Sequence, residues 1–189
     1  MAPRVGGAAT YAGRVVSPAP AGPAAAVRVE PATPEDFRRI AELTAGVYRE
    51  EGFAGDEYLS QLSDVAGRAT RAELLVARGP GADGRDDVVG SVALVLDGEF
   101  GEVLESPDEA GFRMLVVDAA ARGRGVGELM VTACLERARA AGKRRVVIST
   151  DPRMTSAHRL YERLGFTRLP ERDWSPMAGV DLIVYSREL

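Results

Sequence analysis

Met114-Leu115-Val116-Val117-Asp118, followed after three alanines by Arg122-Gly123-Arg124-Gly125-Val126-Gly127, is the stretch on which the fold turns. An apolar strand runs into a glycine turn, and the turn opens a helix. A helix start leaves several backbone N–H groups without partners and carries a partial positive charge. Glycines remove the Cβ atoms that would keep a bulky anion away. Arg122 and Arg124 add charge of the sign that complements phosphate. Together these features describe a pyrophosphate cradle. No Gly-Lys-Ser or Gly-Lys-Thr is present, which excludes a P-loop. Glycines at 123, 125 and 127 do not have the G-x-G-x-x-G spacing of dinucleotide folds, and they come too late in the chain for a first Rossmann unit. A turn that only connects strand to helix is the alternative for the glycines alone.

Reading outward, the strand covers Phe112 to Val117. The helix covers Gly125 to Ala141, with Val126, Leu129, Met130 and Ala133 on one face and Gly142 as its stop. Arg145 to Ser149 is the next strand, so strand, helix and strand form a βαβ unit with parallel neighbours. Thr155 or Ser156 caps a short helix carrying Ala157, Leu160, Tyr161 and Leu164, closed by Gly165. Strands around Phe166–Arg168 and Val180–Tyr185 complete the chain, with Trp174 in the loop between them.

Toward the N-terminus, Glu73–Arg78 and Val88–Leu96 read as an antiparallel hairpin around the turn-forming Gly79–Gly84. A helix follows Thr33-Pro34, with Phe37, Ile40, Ala41, Thr44, Val47 and Tyr48 at helical spacing. A second helical stripe holds Tyr58, Leu59, Leu62, Val65 and Ala66, and Val27 and Val29 suggest a first strand. Residues 1–26, rich in Ala, Pro and Gly, read as a flexible leader, and 27–189 as a single domain. The predicted fold class is α/β, with a mixed, largely antiparallel sheet flanked by helices on both faces.

The chain of 189 residues suffices for one sizeable core, and 46% of it is apolar. A net charge of -4 argues against nucleic acid as the main partner. The basic run Arg137, Arg139, Lys143, Arg144 and Arg145 reads as a solvated helix end. No apolar run is long enough to span a membrane. The single Cys134 excludes an intramolecular disulfide and suits a cytoplasmic setting, and one Cys with one His makes a protein-built metal site unexpected.

The sequence resembles the GCN5-related N-acetyltransferase (GNAT) superfamily. Arg122, Gly125 and Gly127 match the family's R/Q-x-x-G-x-G/A motif. Arg113-Met114-Leu115-Val116-Val117-Asp118 is similar to the strand before it, and Leu160-Tyr161-Glu162-Arg163-Leu164-Gly165-Phe166 fits the family's later Leu-Tyr-Glu-x-x-Gly-Phe. The resemblance covers about Val27 to Leu189. It implies direct transfer of an acetyl group from acetyl-CoA to a primary amine, on a small molecule or a protein. It further implies that the backbone of Leu115, Val116 and Val117 binds the pantetheine arm. Arg122, Gly123, Arg124, Gly125, Val126 and Gly127 would hold the pyrophosphate. The strands ending near Val117 and spanning Arg145–Ser149 would splay to admit the thioester. A homodimer is open by analogy with family members.

Tyr161 matches the family tyrosine that protonates the leaving thiolate; a tyrosine packed in an apolar stripe is the alternative. Many relatives place a glutamate base where this chain has Gly111. Glu109 and Asp108 are nearby, and Glu109 is taken as the candidate base. Met154 replaces a frequent asparagine. His158, the single histidine, reads as an exposed helix residue in preference to a catalytic one. Asp97 to Glu109 contains no Lys or Arg, so it is either a solvated acidic loop or an attractor of cationic amines. Trp174 either walls the acceptor pocket or plugs its loop. Gly111 and Met154 also motivate a different class, a non-catalytic acyl-CoA-binding module.

Overall fold

The computed structural model describes residues 26–50, 52, 62–98, 100, 102–177 and 179–189. All of the expected leader except Ala26, together with Tyr58 and Leu59 of the second helical stripe, lies outside them.

Strand β1 (Arg28–Pro31) leads through a short 3-10 turn (Pro34–Asp36) into helix α1 (Phe37–Glu50). The turn is fixed by Asp36, whose Oδ2 accepts the Thr33 N–H at 2.9 Å and the Thr33 hydroxyl at 3.2 Å. Arg78 donates to the other oxygen of Asp36 at 2.7 Å, so the entry to α1 is pinned to the sheet. Helix α2 is Val65–Ala69. Strands β2 (Glu73–Pro80), β3 (Asp86–Val95) and β4 (Glu109–Val117) then form an antiparallel meander. Helix α3 (Val126–Ala140) returns the chain to β5 (Arg145–Thr150). Helix α4 (Thr155–Arg163), β6 (Thr167–Arg168), β7 (Trp174–Met177) and β8 (Val180–Glu188) follow.

The sheet order is β1-β2-β3-β4-β5-β8-β6, with β7 paired to β8. The pair β4–β5 is parallel, as the strand–helix–strand pattern requires; every other pair is antiparallel. Alternation along β2 builds two cores. Leu75 and Ala77 face Val126, Met130, Cys134 and Tyr161 on one side. Leu74 and Val76 face Ile40 and Val65 on the other. Helices therefore cover both faces. Buried positions 126, 130, 131, 134, 135 and 138 recur at helical spacing and seat α3 on the sheet. Among the described residues, no helix is long and apolar enough to cross a membrane.

Four details differ from the sequence reading. Leu129, expected on the apolar face of α3, is 45% exposed, and Val131, Cys134 and Leu135 share that face with Val126 and Met130 instead. The segment around Trp174 is a strand, β7, rather than a loop; Trp174 pairs with Leu182 and Met177 with Val180. Pro176 and the lack of apolar alternation hide it, yet both suit a strand with a single neighbour. Helix α4 is capped by Met154, not by Thr155 or Ser156, and Met154 provides no side-chain cap. The β2 strand continues through Gly79 and Pro80, so the turn occupies 81–85.

Candidate active site

Strands β4 and β5 pair at only two positions, Glu109 with Arg145 and Ala110 with Val146. Beyond them β4 continues to Val117 and β5 to Thr150 without pairing to each other. The sheet thus opens into a gap whose β4 side is the backbone of 111–117. Two local features shape it. Between Ser91 and Ala93 of β3, three β4 residues advance opposite two, and Met114 takes φ 53, the one positive value among described non-glycine residues. That bulge bends β4 away from regular pairing. At the root of the gap, directly after the last paired residue, stands Gly111. A Cβ there would lie 2.7 Å from the carbonyl oxygen of Val147 and 3.3 Å from Leu104 Cδ2. Side chains, a glutamate included, are sterically excluded from this position unless β5 shifts.

The glycine turn lies at the C-terminal end of β4. Gly123 (φ 73) and Gly125 (φ 78) adopt left-handed conformations, and nothing stands within 4 Å of where a Cβ would sit on either. Gly125 is the N-cap of α3 and leaves the first-turn amides without side-chain partners at the cap. Val126 is buried and anchors the turn in the core, while a Cβ on Gly127 would come within 3.2 Å of Leu160 on α4. Arg122 donates to Val117 O at 3.3 Å and Arg124 to Pro80 O at 3.0 Å; both are exposed. Asp118 holds the intervening 3-10 turn by accepting the Ala120 N–H at 2.9 Å, and Arg39 of α1 donates to it at 2.8 Å. Val116 is buried; Leu115 and Val117 are half-buried.

Tyr161 sits in an aromatic cluster, its ring centroid 5.8 Å from those of Phe112 and Phe166 and 6.2 Å from that of Tyr185. Burial, with a smaller contribution from Cys134, pushes its phenol above the usual range, so it is protonated at neutral pH. No hydrogen bond to its hydroxyl is found among the described residues, which leaves the proton available to an incoming acceptor.

Glu109 has a different setting. It is 5% exposed. Arg172 donates to Oε1 at 2.7 Å and to Oε2 at 3.0 Å, and the Glu105 N–H donates to Oε2 at 2.9 Å. Arg145 stands 3.7 Å away. Burial alone would raise its pKa, but the Arg172 hydrogen bonds, the Glu105 amide and the two positive charges outweigh it and hold the carboxyl below its usual range. A carboxylate so stabilised is a weak proton acceptor. Arg172 also binds Val103 O and pairs with Glu105 at 3.2 Å, so it staples the 102–105 segment to the start of β4.

The acidic stretch is therefore neither solvated throughout nor a free negative surface: Glu102 pairs with Arg113 at 3.1 Å, and Glu105 and Glu109 with Arg172. His158 is half-buried rather than exposed. Its Nε2 lies 3.1 Å from Asp151 O, its ring stacks 5.5 Å from Tyr185, and burial lowers its pKa. Met154 accepts a hydrogen bond from the Thr150 hydroxyl at 3.6 Å through sulfur. In the basic run, Arg137 pairs with Glu73, Lys143 donates to Pro107 O and Arg145 pairs with Glu188.

A strand bulge, a parting of two parallel strands and a glycine-capped helix at the parting now stand together. The sequence model of the acetyltransferase (GNAT) family matches residues 38–166. The chain belongs to the GNAT acetyltransferase family. Solved GNAT structures share the fold. An acetyltransferase of the family from Staphylococcus aureus Mu50 superposes with a TM-score of 0.68 at 15% identity, covering 87% of this chain and 99% of that one. A GCN5-related N-acetyltransferase from Kribbella flavida gives 0.63 at 26% identity, covering 86% and 98%. An acetyltransferase from Salmonella typhimurium, solved with its cofactor acetyl-CoA, gives 0.62 at 19%, covering 86% and 94%. Glucosamine 6-phosphate N-acetyltransferase 1 of Oryza sativa subsp. japonica is 46% identical over 52 residues, a match spanning 28% of this chain and 30% of that protein.

Two residues of this GNAT site escaped the motif reading, Arg172 and Arg113. Arg172 belongs to no motif, and Arg113, though it opens the strand motif, was given no role there. The usable signal was the acidic stretch 97–109 without a base of its own, which needs cations brought from elsewhere in the chain.

Proposed function

We propose that this GNAT chain transfers an acetyl group from acetyl-CoA to a primary amine of a small molecule or protein. The observation that carries the reading is the parting of β4 from β5 after two residue pairs, directly before the glycine-capped start of α3. The open β4 edge at Leu115, Val116 and Val117 offers backbone groups to the pantetheine amides, in the manner of an added strand. Gly123 to Gly127 offer backbone amides at the helix start, and Arg122 and Arg124 positive charge, to the pyrophosphate. Bound in this way, acetyl-CoA supplies an activated thioester within the gap.

Tyr161 serves as the proton donor to the departing thiolate, its phenol kept neutral by burial. Glu109, the base expected from sequence, is better suited to positioning, because Arg172 occupies both of its oxygens. With Gly111 at the frequent base position, the amine's proton leaves through water. The single cysteine supports a reducing, cytoplasmic setting.

The test is release of free CoA thiol from acetyl-CoA in the presence of a panel of amines, with the product identified by mass spectrometry. Acetylation of at least one amine, lost in Tyr161→Phe, supports the reading. Tight acetyl-CoA binding without turnover on any amine favours the non-catalytic acyl-CoA-binding module instead.

A further inference from the structure

The α1 side of the gap carries a cationic cluster separate from the residues proposed above to hold acetyl-CoA. Arg113 of β4 lines the cavity at the parting, alongside Glu102, Leu104, Gly111 and Val147. Its guanidinium donates to Phe100 O at 2.9 Å and lies 4.7 Å from the centre of the Phe100 ring. Arg71 lies 4.5 Å from the same ring, and its Nε donates to Gly67 O at 3.2 Å. Phe100 therefore holds two guanidinium groups against one ring, Arg113 on the cavity wall and Arg71 on the exposed surface beyond it.

Their charge is incompletely balanced. Among the described residues, the acidic partner of Arg113 is Glu102, at 3.1 Å, with the Glu102 side chain 47% exposed. No acidic partner of Arg71 is found among those residues. Two positive charges thus face one displaceable carboxylate. Arg113 uses only Nη1 in these bonds, which leaves Nη2 and Nε as donors. A guanidinium stacked on an aromatic ring binds carboxylate or phosphate in a two-pronged fashion, and Arg113 is in addition partly desolvated.

We propose that the acceptor is a small amine bearing an anionic group, carboxylate or phosphate, which Arg113 and Arg71 hold in place of Glu102. The inference rests on the acetyl-transfer reading and names the substrate class of that same site. The acetyl group moves as in that reading: the amine nitrogen forms the new bond to the acetyl carbon, the carbon–sulfur bond breaks, and the thiolate takes a proton while the amine loses one.

The test compares matched acceptors, L-methionine with 3-(methylthio)propylamine and O-phosphoethanolamine with ethanolamine. The protein's kcat/KM for the anionic member of at least one pair is expected to exceed that for its partner by about tenfold or more. Which pair shows it distinguishes carboxylate from phosphate. In Arg113→Met the preference should shrink to less than about threefold, with Arg113→Lys intermediate. In Glu102→Gln, a change at an exposed position, the preference should grow. Calorimetric titration with acetyl-CoA runs beside each assay. Acetyl-CoA binding together with no preference, a preference for the uncharged amines, or a preference unaltered in both Arg113→Met and Glu102→Gln overturns the proposal while the acetyl-transfer reading stands. Absence of acetyl-CoA binding overturns both.

Discussion

Arg172 grips both carboxylate oxygens of Glu109, at 2.7 and 3.0 Å, from a turn 63 residues further along the chain. The pair lies where β4 and β5 are still joined, at the root of the gap. It fixes the 102–105 segment, which lines the cavity, and the turn that leads into β7. Glu109 is buried and the Arg172 side chain is 10% exposed, so removing Arg172 leaves a buried carboxylate with only the longer Arg145 contact and the Glu105 amide. Arg172→Ala should lower stability by roughly 3 kcal/mol, read from urea unfolding. Glu109→Gln should raise the KM of the acceptor more than it lowers kcat, and should leave the pH dependence of kcat in place; a base would show the reverse.

The same pair predicts an acid limb. The native pKa of Glu109 lies below its unfolded value. Its stabilisation is therefore complete above the unfolded value, about 4.3, and is lost as the pH falls through the native one. Comparison of wild type with Glu109→Gln across acid pH should show their stability difference narrowing there. A constant difference would count against the assignment.

Gly111→Ala places a methyl 2.7 Å from Val147 O, a backbone atom that yields only if β5 moves. A loss of about 1–3 kcal/mol is expected, seen as a Tm lower by roughly 3–10 °C. Unchanged Tm would mean that the strands part more freely than the geometry indicates.

Tyr161→Phe should reduce kcat by about 100-fold or more while acetyl-CoA affinity holds. Stability should change little, since no described residue hydrogen-bonds the hydroxyl. A variant with full activity would return Tyr161 to a packing role in the Phe112–Phe166–Tyr185 cluster.

Cys134 is fully buried on α3, and burial pushes its thiol up to about 12. It should resist a thiol reagent in the native protein and react on denaturation. Rapid native labelling would contradict the packing of α3 on the sheet.

Much of the fold was legible because periodicity reports burial. The apolar runs of β2 and β3, buried on both faces, and the helical spacing from Val126 to Ala138 follow directly from the faces they cover. The glycine turn was legible for the same kind of local reason, since left-handed backbone at 123 and 125 favours glycine. What remained hidden is long-range. Nothing local in Arg172 or Arg113 announces Glu109 or Glu102 as partner, because tertiary packing chooses the pairing. The absence of a glutamate at position 111 could be read, but its cause, the carbonyl of Val147 from another strand, could not. His158 looked exposed because its partners, Asp151 O and the Tyr185 ring, come from a loop and from β8.

The most direct measurement is calorimetric titration of acetyl-CoA into wild type and Gly125→Ala. Gly125 caps α3 at φ 78, where an alanine is strained by about 1–2 kcal/mol and distorts the helix start. The account predicts saturable binding to wild type, with affinity about tenfold or more weaker in a variant that remains folded. No binding to wild type, or equal affinity in both proteins, would contradict the claim that this turn holds the cofactor's pyrophosphate.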